Sequence, residues 1–382
     1  MLDSGLRLEY PGIRAAHGGL ETMRMIVLSD LHFGVPETSL NDREVRRAVI
    51  EAIRSLLPVK RIILLGDIFD LNLARLGDSI DGRSSGGTKV VGFRQFLKEC
   101  LSQGIKDSQW IYIPGNHDYD TFDVPARLDG MNRRFSKKTD EKIMYWAPRF
   151  WEGGNIAPRE LRGNFQIQYP HRWEKFGSKY ILLTHGHYLD PSQTMGKKIG
   201  ELDKQGGIPV DKLFTMCAQY QSLTRAISYQ GETIRFFGSL YGAWTSVSSI
   251  VEEIVKYGTM GLWRHKALGT ELQNASLSYV RNFGPIGKPQ EAAGMPDAMI
   301  FGHTHREGMV FLAVPETAST GPGKGILLVN DGGFIHDGST SEIAGSLVEV
   351  ESAGSGCNIR LHVIERTSSG EISRRIKEER SL

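Results

Sequence analysis

One pattern constrains this chain more than any other: five times, a short apolar run closes on a turn built from Asp, His, Asn and Gly. Met25 to Leu28 precedes Asp30-Leu31-His32, Ile62 to Leu65 precedes Gly66-Asp67, and Trp110 to Ile113 precedes Gly115-Asn116-His117-Asp118. Tyr180 to Leu183 precedes His185-Gly186-His187, and Ala298 to Phe301 precedes Gly302-His303-Thr304-His305. A short apolar run bounded by turn residues reads as a buried strand. Strands that neighbour one another and end at the same side bring their turns to one point, as in sheets whose ligands sit at the carboxyl ends of strands.

Taken singly, Asp-x-His or Gly-Asp is an ordinary polar turn. Repetition behind five strand ends changes the reading. The turns contain no Cys, so their donors are nitrogen and oxygen, a set suited to Mn²⁺, Fe²⁺ or Zn²⁺ and not to a thiolate site. Asp30, His32, Asp67, Asn116, His185, His303 and His305 make seven donors. One tetrahedral ion would leave several idle, whereas two ions sharing a carboxylate would use them all.

In this order the motifs resemble the calcineurin-like metallophosphoesterase family, and the resemblance spans positions 30 to 305. It implies an α/β (α+β layered) fold, a four-layer α-β-β-α sandwich of two mixed sheets with a helical insertion. It also implies two divalent metal ions, Mn foremost and Fe or Zn as alternatives. Asp30, His32 and His305 would hold one ion, Asn116, His185 and His303 the other, with Asp67 bridging. A shared carboxylate and a shared hydroxide offset the repulsion of two dications about 3.5–4 Å apart. The implied activity is hydrolysis of a phosphate ester or anhydride with the bridging hydroxide as nucleophile. The expected enzyme is a phosphodiesterase or phosphatase acting on a small or lipid-linked substrate.

His117 is expected to serve as general acid or to donate to a phosphate oxygen, with Asp118 orienting it. Enzymes of the family that act on nucleotide-linked lipid precursors usually carry Arg where this chain has His117. Two other readings stay open: a nuclease of the same fold, and a non-catalytic scaffold. His187 is not needed for the donor count, and His171 is expected to be solvated or packed locally.

Composition narrows the partners. The 382 residues carry 46 basic and 44 acidic side chains, a formal charge of +2. That balance disfavours a chain whose main work is coating nucleic acid while leaving room for a local basic groove. Three cysteines, at 100, 217 and 357, form neither a metal spacing nor a disulfide framework, which points to a reducing cytoplasm. No stretch approaches 18 consecutive apolar residues, so a membrane span is not expected, although peripheral membrane contact through the insertion stays open.

Residues 1 to 22 read as a flexible leader, with Met23 or Met25 as alternative starts. Residues 23 to 365 read as a single domain. Asn41 is placed to cap a helix whose apolar positions run from Val45 to Leu57 at 3.6-residue spacing, stopped by Pro58. A second helix is expected over 89–103. Residues 190–295 read as a helical cap or lid, with periodicity over 211–228, 246–256 and 262–279. Closing strands are expected over 309–313, 326–329, 347–350 and 359–364, the last two joined by a hairpin at Gly354. The Ser-, Arg- and Glu-rich residues 366 to 382 read as a frayed tail.

Overall fold

Alternation along the first strand decides the layering. In β1 (Arg24–Leu28) Ile26 and Leu28 belong to one core, Met25 and Val27 to another, and all four are buried. A strand apolar on both faces needs a layer on each side. These features come from a computed structural model that describes residues 23–33, 38–69, 87–118, 144–146, 157–161, 163–189, 269–285, 287–292, 294–314, 325–335, 343–367 and 369–382.

In the first sheet β2 (Arg61–Leu64), β3 (Gln109–Tyr112) and β5 (Phe165–Tyr169) run parallel to β1, with β4 (Met144–Trp146) antiparallel at one edge. On the other side β11 (Ile343–Ala353), β12 (Gly356–Arg366) and β13 (Ile372–Ser381) continue the sheet antiparallel. Its order is β13-β12-β11-β1-β2-β3-β5-β4. The second sheet combines β6 (His171–Phe176), β7 (Lys179–Thr184), β8 (Ala298–Phe301), β9 (Gly308–Ala313) and β10 (Gly325–Asn330) in the order β6-β7-β8-β10-β9. Both sheets are mixed, and in each the central strands are the parallel ones.

Three cores hold the layers. Between the sheets lie Val27, Ile63, Ile111, Ile181, Ile300 and Val329. Each such side chain, fully buried, contributes about 2 kcal/mol relative to exposure. Outside the first sheet pack α1 (Arg43–Ser55), through Val45, Val49 and Ile53, and α2 (Gly87–Ser102), through Phe93, Phe96, Leu97 and Cys100. Outside the second sheet packs α3 (Thr270–Asn282), through Leu272, Tyr279 and Val280. The result is the four-layer α-β-β-α sandwich, and the parallel strands of both sheets deliver their turns to the same rim.

Several expectations are corrected. Asp42, not Asn41, caps α1: its carboxylate accepts the Glu44 N–H at 2.8 Å, while Asn41 ends a short 3-10 turn. Of the two alternatives for His171 the solvated one is overturned: it opens β6, is fully buried and has Nδ1 2.9 Å from the Tyr279 hydroxyl. The tail does not fray. Residues 372–381 form β13, paired along β12 and tied by ion pairs from Arg375 to Glu365 and from Arg360 to Glu379. Opposite charges facing across strands contribute roughly 0.2–1 kcal/mol per pair, which offsets the polarity that made the segment look unstructured. The expected leader and the periodic stretches 211–228 and 246–256 lie outside the described residues. Of the expected cap, α3 and the segment leading into β8 are described.

Candidate metal centre

Each of the five strand-end turns is shaped by backbone before side chains matter. The N–H groups of Asp30, His32 and Phe33 donate to the carbonyls of Gly66, Asp67 and Ile68, so the β1 turn is stitched along the β2 turn. The Gly302 N–H donates to the His185 carbonyl at 2.9 Å, which joins the β8 turn to the β7 turn. Five side chains in this rim sit on left-handed backbone: Asp30 (φ 51°), His32 (45°), Asp67 (50°), His303 (70°) and His305 (56°). Non-glycine residues in that region cost on the order of 1 kcal/mol each and persist where the surroundings fix them.

The turns gather two groups of donors. Asp30, His32 and His305 present ligand-type atoms within 4.8 Å of one another, and Asp67, His185 and His303 do the same. Asn116 joins the second group, its Oδ1 3.2 Å from His185 Nε2. Asp67 stands between the groups: its Oδ2 is 3.2 Å from His185 Nε2 and 3.8 Å from His32 Nε2. Leu65 accepts a hydrogen bond from His185 Nδ1 at 2.8 Å, which fixes the ring and turns Nε2 toward Asp67. Two glycines make room. A Cβ on Gly66 would strike the His185 ring, and one on Gly115 would strike Asp67 Oδ1.

Burial and charge suit a cationic occupant. Asp30, Asp67 and His185 are at most 1% exposed. Asp30 Oδ1 and His32 Nε2 are buried without a hydrogen-bond partner, a state that costs roughly 1–3 kcal/mol per atom unless something fills it. Burial alone would push the Asp30 carboxyl up, yet the nearby His305 and His32 rings, which approach it without forming regular hydrogen bonds, and the charge of His185 hold it far below the usual range. Asp67 is likewise held low: burial opposes it, and the charges of His185, His117 and His32 prevail. For His185 burial acts downward, but Asp67 and Asp30 raise it to about 9. Buried carboxylates and imidazoles, with orphaned atoms and only nitrogen and oxygen donors, fit divalent ions of the Mn, Fe or Zn type.

His117 and Asp118 both reach the β2 turn. The His117 N–H donates to Asp67 Oδ1 at 2.8 Å, and its half-buried ring stands edge-on to His32 at 5.1 Å between centroids. Asp118 is fully buried and accepts from the N–H groups of Gly115 and Ile68, both at 2.6 Å. Burial and the nearby Asp67 charge raise its carboxyl to about 6, against the opposing hydrogen bond from Tyr112. Asp118 thus fastens the β3 turn to the β2 turn. His187 is buried beside His185, with ring centroids 5.5 Å apart, and its Nε2 lies 3.5 Å from the Tyr169 hydroxyl.

A sixth turn, after β10, escaped the sequence reading. Asn330 and Asp331 are fully buried behind the apolar run Ile326 to Val329, the signature carried by the other five. Its lack of histidine kept it out of the donor count. Burial pushes the Asp331 carboxyl well above the usual range, Ser29 works against that, and the charge of Asp30 adds to it.

The two-sheet sandwich with donor-bearing turns at its rim defines the metallophosphoesterase class of fold. The family model for calcineurin-like phosphoesterases matches residues 23–229, more than half of the 382, and the chain belongs to that family. No curated protein matches the chain. Among solved structures, Vps29 from Chaetomium thermophilum is 9% identical with a TM-score of 0.34, covering 94% of this chain and 97% of its own. Vps29 complexed with zinc from Entamoeba histolytica is 10% identical (TM-score 0.31; 94% and 99% covered). GAP50, the anchor in the inner membrane complex of Plasmodium, is 11% identical (TM-score 0.35; 94% and 90% covered). Among the described residues no helix is long and apolar enough to cross a membrane.

Proposed function

We propose that this chain is a metal-dependent hydrolase of phosphate esters or anhydrides, holding two divalent ions at the strand-end rim. The observation that carries the reading is the place of Asp67, whose one carboxylate oxygen lies within 4 Å of a histidine from each donor group. In this reading Asp30, His32 and His305 hold one ion and Asn116, His185 and His303 the other, with Asp67 shared. When bound, the ions supply an activated water and neutralise the charge of the phosphoryl group.

The chain's own residues do the rest. With an ion bound, the Leu65 carbonyl would hold the one remaining His185 proton on Nδ1 and leave the Nε2 lone pair for the metal. The Gly66 and Gly115 backbones let His185 and Asp67 approach without a clash. His117 has its backbone tied to Asp67 and its ring partly open to solvent, where it can give a proton to a leaving oxygen or donate to a phosphate oxygen. Asp118 holds the turn that presents it.

The test uses protein loaded with Mn²⁺ and assayed on bis-p-nitrophenyl phosphate, with metal content measured on the same sample. Hydrolysis that follows metal content up to two equivalents is expected. Two tightly bound equivalents without turnover on any ester or anhydride of a substrate panel would overturn the hydrolase reading.

A further inference from the structure

The sixth turn touches the first donor group from behind. Asn330 Nδ2 donates to the hydroxyl of Thr304, the residue between His303 and His305, and Asn330 Oδ1 accepts the Gly332 N–H at 3.2 Å. The Asp331 N–H donates to the Phe301 carbonyl at 2.7 Å, just ahead of the β8 turn. On the other side the Phe334 N–H donates to the Asp30 carbonyl at 3.1 Å. A Cβ on Gly333 would stand 2.5 Å from the Asp30 Cβ, so only glycine allows the turn to lie this close. The fully buried Asp331 carboxylate faces the hydroxyl and N–H of Ser29 without reaching ordinary hydrogen-bond geometry. Ser346 closes the turn, donating to the Asp331 carbonyl and accepting the Gly333 N–H at 3.1 Å.

These contacts span two turns that must meet. Asp30 comes from β1 in one sheet and His305 follows β8 in the other, yet His305 Nε2 lies 3.3 Å from Asp30 Oδ1. No strand pairing links β1 to β8; the His303 N–H donates to Asp30 Oδ2 at 2.9 Å, and what lies behind the two turns sets the rest of their spacing. Residues 330–334 touch both.

We infer that Asn330-Asp331-Gly332-Gly333 is the positioning element for the donor group Asp30, His32 and His305. Asn330 sets the β8 turn through Thr304, and Gly333 sets how far Asp30 projects. The inference rests on the metal-centre reading for its purpose but not for its geometry, which a metal-free protein also displays. Partners one shell out from a ligand typically change metal affinity 10–100-fold when lost.

The experiment compares wild type with Asn330→Ala, with Thr304→Val, which removes the same hydrogen bond from its other end, and with Gly333→Ala. Two readouts are taken on each: histidine ring signals by NMR in metal-free protein, and the two Mn²⁺ affinities by calorimetric titration. In Asn330→Ala and Thr304→Val the His305 signal should move while His185 stays. One Mn²⁺ should bind about tenfold more weakly and the other change less than about threefold. Gly333→Ala should weaken the same ion through Asp30. A general loss of packing would lower thermal stability without singling out one ion.

An unmoved His305 signal in both hydrogen-bond variants would overturn the inference, as would equal weakening of the two ions. Should Asn330→Ala fail to fold, Thr304→Val reads the same bond at a site where only a hydroxyl is exchanged for a methyl. Should wild type bind no Mn²⁺, the metal reading falls and the ring signals alone decide the positioning, standing if they move and failing if they do not.

Discussion

Two places in this molecule bury a carboxylate beside a histidine. On the flank formed by β11 to β13, Glu349 is 1% exposed and meets His362 at 3.0 Å, Arg24 at 2.8 Å and Arg360 at 3.4 Å. At the rim, Asp30 and Asp67 are as deeply buried, but among the described residues their ion-pair partners are histidines alone. An arginine is a permanent cation that closes the account of a buried carboxylate. Histidine is also a lone-pair donor, so a group of carboxylates and histidines can give up its protons and accept a further cation. The flank pairs its carboxylate with fixed cations, whereas the rim pairs its carboxylates with groups that can also hold a metal ion.

The largest effect should fall where the two donor groups share a residue. Asp67→Asn keeps the shape and the left-handed backbone but removes the shared charge. Turnover should drop by more than roughly a hundredfold, exceeding the loss typical of an outer partner, with metal content falling in parallel. A variant with normal turnover and two ions would break the comparison at its centre. His117→Ala comes next. Both ions should remain while kcat falls roughly a hundredfold, the lower end for a lost acid or base. Unchanged turnover would return His117 to a structural role.

Metal addition separates the regions by stability. Mn²⁺ at ten times its dissociation constant should stabilise the folded chain by about 1.4 kcal/mol per site, and chelation should reverse it. Thermal melts with and without Mn²⁺ check this, and Glu349→Gln should leave the increment intact. The smallest effect on activity is that of Glu349→Gln itself, which should leave turnover unchanged while lowering stability by about 3 kcal/mol at neutral pH, the low end for a broken buried pair because Glu351 still pairs with Arg24 and Arg360.

That last variant also carries a sign. Burial raises the Glu349 carboxyl, but the hydrogen bond and charge of His362 with Arg360 and Arg24 outweigh it and hold it below its ordinary value. A depressed carboxyl contributes stability above its unfolded value and loses it as pH falls through the folded one. Acid melts of wild type should therefore show a loss between pH 5 and lower values that Glu349→Gln flattens. Parallel melting curves for the two would show that the flank charges do not act through Glu349.

The rim was legible because each donor turn follows an apolar run, and burial on both faces makes such runs unambiguous. Asn330 and Asp331 follow the same kind of run and were passed over because their work is hydrogen bonding, which residue type alone does not reveal. β13 was hidden for a different reason. An edge strand covered on one side keeps its charges, and only the cross-strand partners, such as Arg375 with Glu365, show that the charges are spoken for. His171 and β6 were obscured by the polar letters of His171 to Lys175, whose partners Tyr279 and Arg61 lie more than a hundred residues away or on another sheet.

The left-handed backbone at Asp30, His32, Asp67, His303 and His305 has a consequence for anyone who would improve this protein. Glycine relaxes such a position, so in metal-free protein each of these five is a place where substitution by glycine can raise the melting temperature. A directed-evolution screen that rewards heat tolerance without metal in the buffer would collect its winners from the rim first. Selected for endurance alone, the chain would keep its sandwich and discard the residues proposed to hold its metal ions.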